Sequence, residues 1–406
     1  MLPEKTYTYE PAEDTFLILD FIEKNKNLFC RKRVLELGTG SALIAVKCAE
    51  LNSFVTASDI NPYAIKISRE KHSSKNIRFV VSNLFENIKQ RFDIIIFNPP
   101  YLPEQKGEEK EISVAVCGGK KGYELIERFL SKMNHYLKDE GFCLLVFSSL
   151  TKKDVVDELI IRNGFFYEEL SSKNVLFETL YLYSIAKQDF LKNKKLKSIK
   201  FLSKGKRSVV YKATLKNKSV AVKVLSRKTT AKNAIEREFL NLKLLNKFDI
   251  GPRAYFKGND YVVMELVTGT LILDFFRNSN KKDAIKIIRE LIRQCLVMDF
   301  LGINKEEFCN PAKHIFVKRK RTGLVVKIID FERAHNSKKL KNLTQFLQFL
   351  TSLKSREALK NKFKINVERI RKISREHKRS IAEKRDFDEF EDYFDKISRS
   401  IIRCFL

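Results

Sequence analysis

Arg91 to Pro103, RFDIIIFNPPYLP, is the stretch that decides the fold of this chain. The run from Asp93 to Phe97 is too short for a helix, is rich in β-branched residues and ends at two prolines, which predicts a buried strand. Asn98-Pro99-Pro100-Tyr101 follows it directly, at the carboxyl end of the strand, where open α/β sheets bind their ligands. The stretch therefore predicts an α/β sheet with a candidate site at this edge.

The four residues after the strand are suited to hold a flat NH₂ group. Asn98 offers its side-chain carbonyl and Pro99 its backbone carbonyl, Tyr101 can lie against a planar group, and the prolines stiffen the loop. An amide or aryl-amine nitrogen is a poor nucleophile, so such a site works by positioning and electrostatics. The pattern predicts alkylation of a planar nitrogen with Asn98, Pro99 and Tyr101 as catalytic residues; the simpler interpretation is a proline turn after a core strand.

The charge of the chain is distributed unevenly. Residues 1–190 contain 26 Lys and Arg against 27 Asp and Glu, whereas residues 191–406 contain 53 against 23. An excess confined to one half is typical of a module that meets polyanions, here RNA or a ribonucleoprotein. No apolar run is long enough to span a membrane and the first residues lack the apolar core of a signal peptide, so we expect a cytoplasmic protein. Seven scattered cysteines without a CxxC pair indicate reduced thiols.

Strand-like and helix-like segments alternate over residues 1–189, which predicts a doubly wound, mostly parallel sheet that ends in an antiparallel hairpin. The first strand carries Glu36 and runs into a turn with Gly38 and Gly40, where backbone can approach a ligand closely. The next strand ends at Asp59, where nucleotide-binding sheets place a ribose-binding carboxylate. Because no phosphate-binding motif follows, a nucleoside-like ligand without phosphates, such as S-adenosylmethionine, fits better than a dinucleotide.

Residues 34–41, 59 and 98–101 resemble the class I S-adenosylmethionine-dependent methyltransferases. Three further motifs are similar to the archaeal and eukaryotic branch of the HemK release-factor glutamine methyltransferases: YEPAEDTF at 9–16, CGGKKG at 117–122 and SSL at 148–150. The resemblance implies that S-adenosylmethionine is held by Thr15, Glu36, Gly38, Gly40, Asp59, Asn83, Leu84 and Asn98. Ala42 stands where a glycine is common and Asn83 where Asp is common, so we expect weakened cofactor binding.

The resemblance also implies a substrate and a partner. The acceptor would be the glutamine of the GGQ loop of a class I translation release factor, with a small zinc-binding activator subunit covering apolar surface. Two alternatives stay open: a nucleic-acid methyltransferase acting on the exocyclic amines of adenine or guanine, and a protein lysine methyltransferase. In either case the second half would serve as a scaffold that binds RNA or protein.

A second domain is predicted over residues 200–352, after a basic linker at 190–199. A loop with Gly205 precedes the strand VAVKV that carries Lys223, an order suited to clamping nucleotide phosphates. With Glu238 on the next helix, Glu265 in a hinge-like strand and Asp330 at a strand end, the segment resembles atypical protein kinases of the RIO family and the small kinase of the KEOPS complex. The resemblance implies a bilobal α+β fold in which these residues bind ATP, with Asp330 as a Mg²⁺ ligand.

The catalytic loop departs from that family. Residues 302–317, GINKEEFCNPAKHIFV, lack the HxD motif, so the nearest candidates for the base are Glu306 and Glu307, of which we choose Glu307, and His314 occupies the position of a metal-binding Asn. Three interpretations stay open: a serine/threonine kinase, an ATPase or nucleotide-dependent switch, and an inactive binding fold. Residues 353–406 are predicted to form a basic helical tail with a thin apolar stripe, either a solvated face or a contact for RNA or the ribosome.

Overall fold

The computed structural model describes residues 11–72, 76–101, 119–226, 233–309, 311–381 and 387–405. Parts of two quoted motifs, residues 9–10 and 117–118, lie outside the described residues, as does the side chain of Glu307. The chain divides into two compact units, Met1–Lys194 and Lys195–Leu406. Among the helices described, none has the length and apolar content to cross a membrane.

The first unit is built on a seven-stranded sheet with the order β3-β2-β1-β4-β5-β7-β6, in which only β7 runs antiparallel to its neighbours. Its strands are β1 (Arg33–Leu37), β2 (Phe54–Asp59), β3 (Ile77–Val81), β4 (Phe92–Phe97), β5 (Leu137–Ser148), β6 (Phe165–Val175) and β7 (Glu178–Lys187). Its helices are α1 (Glu13–Lys24), α2 (Lys26–Phe29), α3 (Leu43–Glu50), α4 (Pro62–Lys71), α5 (Glu124–Tyr136), α6 (Lys153–Arg162) and α7 (Asp189–Lys192).

The strand β4 explains why the sheet is buried on both faces. Ile94 and Ile96 point into one apolar layer, and Ile95 and Phe97 point into the other, because successive side chains of a strand alternate between its faces. A strand that is buried on both faces has a continuous apolar sequence, and such strands are typical of a parallel sheet covered by helices. The predicted class I methyltransferase fold, a mostly parallel sheet with a terminal hairpin, is confirmed for this unit.

The order of the strands creates one topological switch point. The chain adds β2 and β3 on one side of β1 and then returns to place β4 and β5 on its other side. Ligands of open α/β sheets bind at the carboxyl ends of the strands where the order reverses. The turn after β1 and the tetrapeptide after β4 therefore face each other across the crevice where a ligand is expected.

The second unit combines a five-stranded antiparallel sheet, order β11-β12-β10-β9-β8, with a helical part. The sheet contains β8 (Leu196–Lys204), β9 (Ser208–Leu215), β10 (Lys218–Leu225), β11 (Ala254–Lys257) and β12 (Tyr261–Glu265), with α8 (Ala234–Leu245) between β10 and β11. The helical part contains α9 (Ile272–Asn278), α10 (Lys281–Phe300), α11 (Asn342–Leu350), α12 (Leu353–Leu359), α13 (Val367–Ser380) and α14 (Phe390–Ile402). Short strands connect the helices: β13 (Thr270–Leu271), β14 (Ile303–Asn304), β15 (Ile315–Lys320), β16 (Gly323–Ile328) and β17 (His335–Asn336).

The predicted linker at 190–199 is corrected by the structure. The helix α7 ends at Lys192 and β8 begins at Leu196, whose buried side chain pairs across the sheet with Leu215. The lysines in this segment suggested a solvated linker, but the sparse apolar residues between them are sufficient to form an edge strand whose other side chains stay in solvent.

The predicted tail at 353–406 is likewise part of the second unit. Phe363, Ile370, Ile373, Ile401 and Phe405 are buried and belong to the same apolar core as α10 and α11. The sequence shows only a thin apolar stripe among many charged residues, yet a helix needs apolar residues only every third or fourth position to dock on a core. The charged residues of α13 lie on its outer face.

A buried polar network fixes these helices. The carboxylate of Asp299, at the end of α10, accepts hydrogen bonds from the backbone N–H groups of Asn342 and Leu343 (3.1 Å each), so it caps the first turn of α11 from outside. His377 Nε2 of α13 lies 3.4 Å from the same carboxylate, and His377 Nδ1 lies 2.8 Å from the hydroxyl of Tyr393 in α14. Asp299 thus joins α10, α11 and α13, and His377 extends the network to α14.

We predict that Asp299→Ala destabilises the second unit by about 3–5 kcal/mol, because it leaves buried helix N–H groups and an imidazole without their acceptor. The measurement is the free energy of unfolding of the full chain in urea. Asp274→Ala is the control, since Asp274 forms an exposed pair with Arg277 on α9 and should contribute little. Equal unfolding curves for the two variants would contradict the assigned role of Asp299.

Candidate functional site

The crevice at the switch point of the first unit is narrow. Gly38 follows β1 with φ of 67°, and a side chain there would place its Cβ 3.7 Å from the carbonyl oxygen of Asn98, which follows β4. The positive φ favours a glycine at this position, whereas 3.7 Å is an ordinary van der Waals distance. The two loops that the sequence singled out lie side by side.

One acceptor in this crevice is unused. The side-chain Oδ1 of Asn98 is buried and has no hydrogen-bond partner among the described residues. A buried carbonyl without a donor is costly, so its presence indicates a ligand that supplies an N–H. The adjoining Pro99 is buried and, like any proline, offers a carbonyl but no N–H.

Tyr101 is held at both ends. Its hydroxyl donates to Oδ2 of Asp14 in α1 (3.2 Å), and its carbonyl accepts from the hydroxyl of Thr151 after β5 (3.2 Å). Thr15, the residue expected to contact the cofactor, is buried beside Asp14, with its hydroxyl 3.3 Å from Oδ1 of that carboxylate. The start of α1 therefore forms a wall of the crevice next to the tetrapeptide.

Glu36, the last but one residue of β1, is buried and has an unusual pKa. Burial raises the pKa of its carboxyl to about 8, although the Thr39 hydroxyl donates to it at 2.5 Å and opposes the shift. A carboxyl group that stays protonated near neutral pH in the protein alone can ionise when a ligand brings a donor. Its position suits the hydroxyl or ammonium group for which the sequence proposed it.

Asp59, at the end of β2, lies on the β2 side of the crevice. Its Oδ2 accepts from the backbone N–H of Gly40 (3.0 Å) and its Oδ1 from that of Asn61 (2.9 Å). Burial raises the pKa of Asp59 above its ordinary value, and these backbone hydrogen bonds oppose the rise. Each carboxylate oxygen has a further lone pair, so Asp59 can still accept from a ligand hydroxyl.

Asn83 and Leu84 follow β3. The Oδ1 of Asn83 accepts a hydrogen bond from Arg128 of α5 (3.2 Å), an engagement that the sequence did not suggest. Leu84 is buried with φ of 50°, which turns the chain back under the sheet. Ala42, which stands where a glycine is common, also has positive φ (62°), so its backbone keeps the glycine-like conformation at some cost in strain.

These residues fit a nucleoside-like methyl donor. The crevice offers the buried carboxyl group of Glu36, the partly buried one of Asp59 and close backbone, which suit hydroxyl and ammonium groups, together with an unused carbonyl for the acceptor nitrogen. The residues that would hold S-adenosylmethionine are those named from the sequence, with Asp14 and Thr39 as additions that sequence reasoning missed. The EDT sequence at 13–15 contained a signal for Asp14, because it places an acid at the start of a helix next to the chosen threonine.

The second unit has its own cluster, centred on Lys223 of β10. Its Nζ lies 3.0 Å from Glu238 of α8, 2.8 Å from Asp330 and 3.1 Å from Glu332. Burial alone would lower the pKa of Lys223, but the three carboxylates raise it above its ordinary value. Glu236, on the same helix as Glu238, instead contacts Lys257. Glu332 was not predicted as a site residue, although it lies only two residues after Asp330 in the sequence.

Asp330 is held from two sides. Burial opposes its ionisation, yet the Lys223 ammonium keeps the pKa of Asp330 below its ordinary value. The buried Lys305, which sequence reasoning missed, donates from Nζ to the backbone carbonyl of Asp330 and lies 5.2 Å from the ring centroid of Phe331. His314 Nε2 lies 3.9 Å from Asp330 Oδ2, and burial lowers the pKa of this imidazole.

The remaining residues predicted for the second unit lie apart from this cluster. Gly205 is exposed in the loop between β8 and β9, where its N–H donates to the carbonyl of Ser208 (2.8 Å). Glu265 ends β12 and accepts from the N–H of Arg253 (3.2 Å). In the part of the second unit that is described, no group of three or more His, Cys, Asp or Glu is arranged to hold a metal.

The comparisons with known proteins agree with this geometry for the first unit. The family model described as methyltransferase small domain matches residues 13–165. A putative protein N5-glutamine methyltransferase of Methanocaldococcus jannaschii is 42% identical over 157 residues, which cover 37% of this chain and 78% of that protein. The eRF1 methyltransferase catalytic subunit mtq2 of Schizosaccharomyces pombe is 29% identical over 212 residues, which cover 45% of this chain and 91% of that protein.

The solved structure of the bifunctional kinase-methyltransferase WbdD covers 94% of this chain and 88% of its own, with 14% identity and a TM-score of 0.43. At that TM-score the likeness carries no weight for the activity of the second unit. The first unit, in contrast, matches the Methanocaldococcus relative over most of the length of that protein and contains the site described above. The chain therefore belongs to the protein N5-glutamine methyltransferase family, as an S-adenosylmethionine-dependent methyltransferase.

Proposed function

We propose that this protein methylates the side-chain amide nitrogen of a glutamine in a class I translation release factor. The observation that carries the proposal is the buried Oδ1 of Asn98, which has no partner in the described part of the chain and lies beside the carbonyl of Pro99. Two acceptors in fixed positions match the two N–H bonds of a primary amide. The printed name of the fission yeast relative gives eRF1 as the protein on which it acts.

The site residues have distinct tasks in this proposal. S-adenosylmethionine supplies an electrophilic methyl carbon when it is bound. Asn98 Oδ1 and the Pro99 carbonyl each accept one amide hydrogen, which aims the nitrogen and increases its electron density as charge develops. Tyr101, anchored by Asp14 and Thr151, keeps the amide plane in line. No covalent bond between the substrate and the enzyme is needed.

The alternative acceptors are an exocyclic amine of a nucleic-acid base and a lysine. The first unit carries no excess of positive charge for holding a phosphate backbone, which favours a protein. Incubation of the chain with labelled S-adenosylmethionine and either purified release factor or total RNA distinguishes the acceptors. Label that enters only RNA would contradict the proposal.

We propose that a small zinc-binding subunit docks on the free edge of the sheet at β3. Edge strands offer unpaired backbone groups to a partner strand, and Ile60, Tyr63 and Val81 expose apolar side chains at this end of the unit. The name of the fission yeast relative, a catalytic subunit, supports a second subunit. Full activity of the purified chain by itself would argue against an obligate partner.

We propose that the second unit binds a nucleotide at Lys223, with Asp330 turning towards a Mg²⁺ ion when the phosphates arrive. A buried ammonium that three carboxylates share is ready to exchange one of them for a phosphate. The side chain of Glu307, the residue chosen as base, lies outside the described side chains. Three activities of the second unit therefore stay open: a kinase, an ATPase or nucleotide-dependent switch, and an inactive binding fold. The assay below separates them.

The basic half of the chain is our candidate for contact with RNA or the ribosome. The buried stripe of α13 leaves Arg371, Arg375 and Lys378 exposed on its outer face, where successive turns place them in a row. A chain that shows no salt-dependent affinity for RNA would rule out this role. A cytoplasmic location stays a prediction from the sequence.

We predict that Asn98→Ala lowers the turnover of methylation by about a hundredfold or more, because one acceptor in a preorganised site contributes on that scale. The dissociation constant for S-adenosylmethionine should change much less. Turnover is measured with labelled donor and release factor, and binding by calorimetry. Asn27→Ala, at an exposed position of α2, is the matched control and should behave as wild type. Retained turnover in Asn98→Ala would refute the role of this residue.

We predict that binding of S-adenosylmethionine strengthens as the pH rises from 6 to 8. Because the folded pKa of Glu36 is about 8, the carboxyl is protonated below that pH, and it becomes the stronger acceptor for the ligand only when it releases the proton. The affinity should rise by up to about tenfold per pH unit and level off above pH 8. Calorimetry in buffers of different ionisation enthalpy counts the proton released. Glu36→Gln should lose this component; an unchanged pH profile would exclude Glu36 as its source.

We predict that Lys223→Ala abolishes nucleotide binding by the second unit while methylation by the first persists. The measurement is the affinity for labelled ATP with Mg²⁺, followed by a search for labelled protein or free phosphate, which separates kinase from ATPase. Lys218→Ala, an exposed lysine on the same strand, serves as the control. If wild-type chain binds no nucleotide, the second unit is a binding fold of another kind.

A further inference from the structure

The hairpin of β6 and β7 ends in two exposed apolar side chains. Leu176 is 84% exposed and Phe177 is 94% exposed, more than any other large apolar side chain in the described part of the chain. Single exposed apolar residues are common on protein surfaces, but two adjacent ones at the tip of a projection are not explained by packing.

The turn itself disfavours these residues. Only Leu176 and Phe177 lie between Val175 and Glu178, which pair across the hairpin, and Phe177 has φ of 69°. Two-residue turns with positive φ favour Asn and Gly, and a bulky residue in that conformation is an outlier. The sequence therefore gives up local stability at this point, and the high exposure of both side chains shows that packing against the described residues does not compensate. Such conflicts between local preference and structure are expected where a residue serves function.

The tip projects from the edge of the sheet that carries the methylation site. Ser148, the last residue of β5, pairs with Leu180, and the hairpin continues three residues further to Phe177, about 10 Å beyond the end of β5. The strand β4, which leads into Asn98, is the neighbour of β5 and so lies two strand spacings, about 10 Å, from β7. The tip thus lies beyond the same edge of the sheet as the crevice, on the side of β5.

The hairpin is fastened to the walls of the site. Lys173 of β6 forms an ion pair with Glu13 at the start of α1. The backbone N–H of Thr179 donates to the hydroxyl of Ser149, directly after β5 (3.0 Å). These two segments are also the ones that hold Tyr101. The position of the tip is therefore fixed relative to the residues that would grip the amide.

We propose that Leu176 and Phe177 dock the release factor by entering an apolar depression on its surface next to the methylated loop. This proposal rests on the proposed function. A primary amide alone presents too few contacts to distinguish one glutamine from the many in other proteins, so binding energy from a remote contact is needed to select it. The free edge at β3 lies at the opposite end of the sheet, so the two surfaces can be occupied at once.

The test uses the full chain with the double substitution Leu176→Asn and Phe177→Gly. Asn-Gly suits the turn, so the variant should unfold at the same or a higher urea concentration than wild type. Phe54→Ser is the control, because Phe54 is 59% exposed but lies at the amino end of β2, on the opposite edge. Each protein is assayed with the purified release factor and with a short peptide that contains the same glutamine.

We expect the double variant to raise KM for the release factor by about ten- to a hundredfold, with kcat/KM for the peptide and the affinity for S-adenosylmethionine unchanged. The control should match wild type on both substrates. Equal losses on peptide and protein, or no loss on either, would overturn docking by this tip. A dimer of wild type that becomes a monomer in the variant would assign the tip to a second copy instead. If wild type methylates no release factor, the proposed function fails; if it does and the variant equals it, only the docking proposal fails.

Discussion

The site in the first unit depends on a shortage of hydrogen-bond donors in the loop after β4. Two prolines follow β4 at the place where the order of the strands reverses, so carbonyl groups accumulate there without backbone N–H groups to satisfy them. The buried Oδ1 of Asn98 stays unused for the same reason. A crevice rich in acceptors is stable only because the sheet around it is buried on both faces.

Around this crevice the backbone adopts conformations that ordinary residues avoid. Ala42, Leu84 and Lys152 have positive φ, and they lie in the loops after β1, β3 and β5, three to five residues beyond the strand ends. Each redirects the chain sharply from a strand into the segment that follows, and such strain collects where function fixes the geometry. The strain is tolerable because the parallel core, with strands such as β4 fully enclosed, supplies the stability elsewhere.

The sequence was sufficient to predict those features that are periodic or local. The apolar run of β4 and the glycines after β1 predict the parallel sheet and its switch point. Both signals come from short stretches of sequence and do not depend on contacts with distant residues. The contact between Arg128 and Asn83 could not be predicted, since α5 and the end of β3 are distant in sequence and meet only through packing. The docking of α13 was missed for a similar reason: whether a sparse stripe such as Ile370 and Ile373 is buried depends on the partner surface.

The second unit illustrates how a buried charge is tolerated. Lys223 is out of water and would be costly alone, so Glu238, Asp330 and Glu332 surround it. Three carboxylates for one ammonium leave an excess of negative charge, which Lys305 offsets from the backbone side of Asp330. An arrangement made for stability alone would need one carboxylate, or none with an apolar residue in place of the lysine. The additional carboxylates therefore favour a binding site. A metal cation and an anionic ligand could enter together there without leaving a charge unpaired.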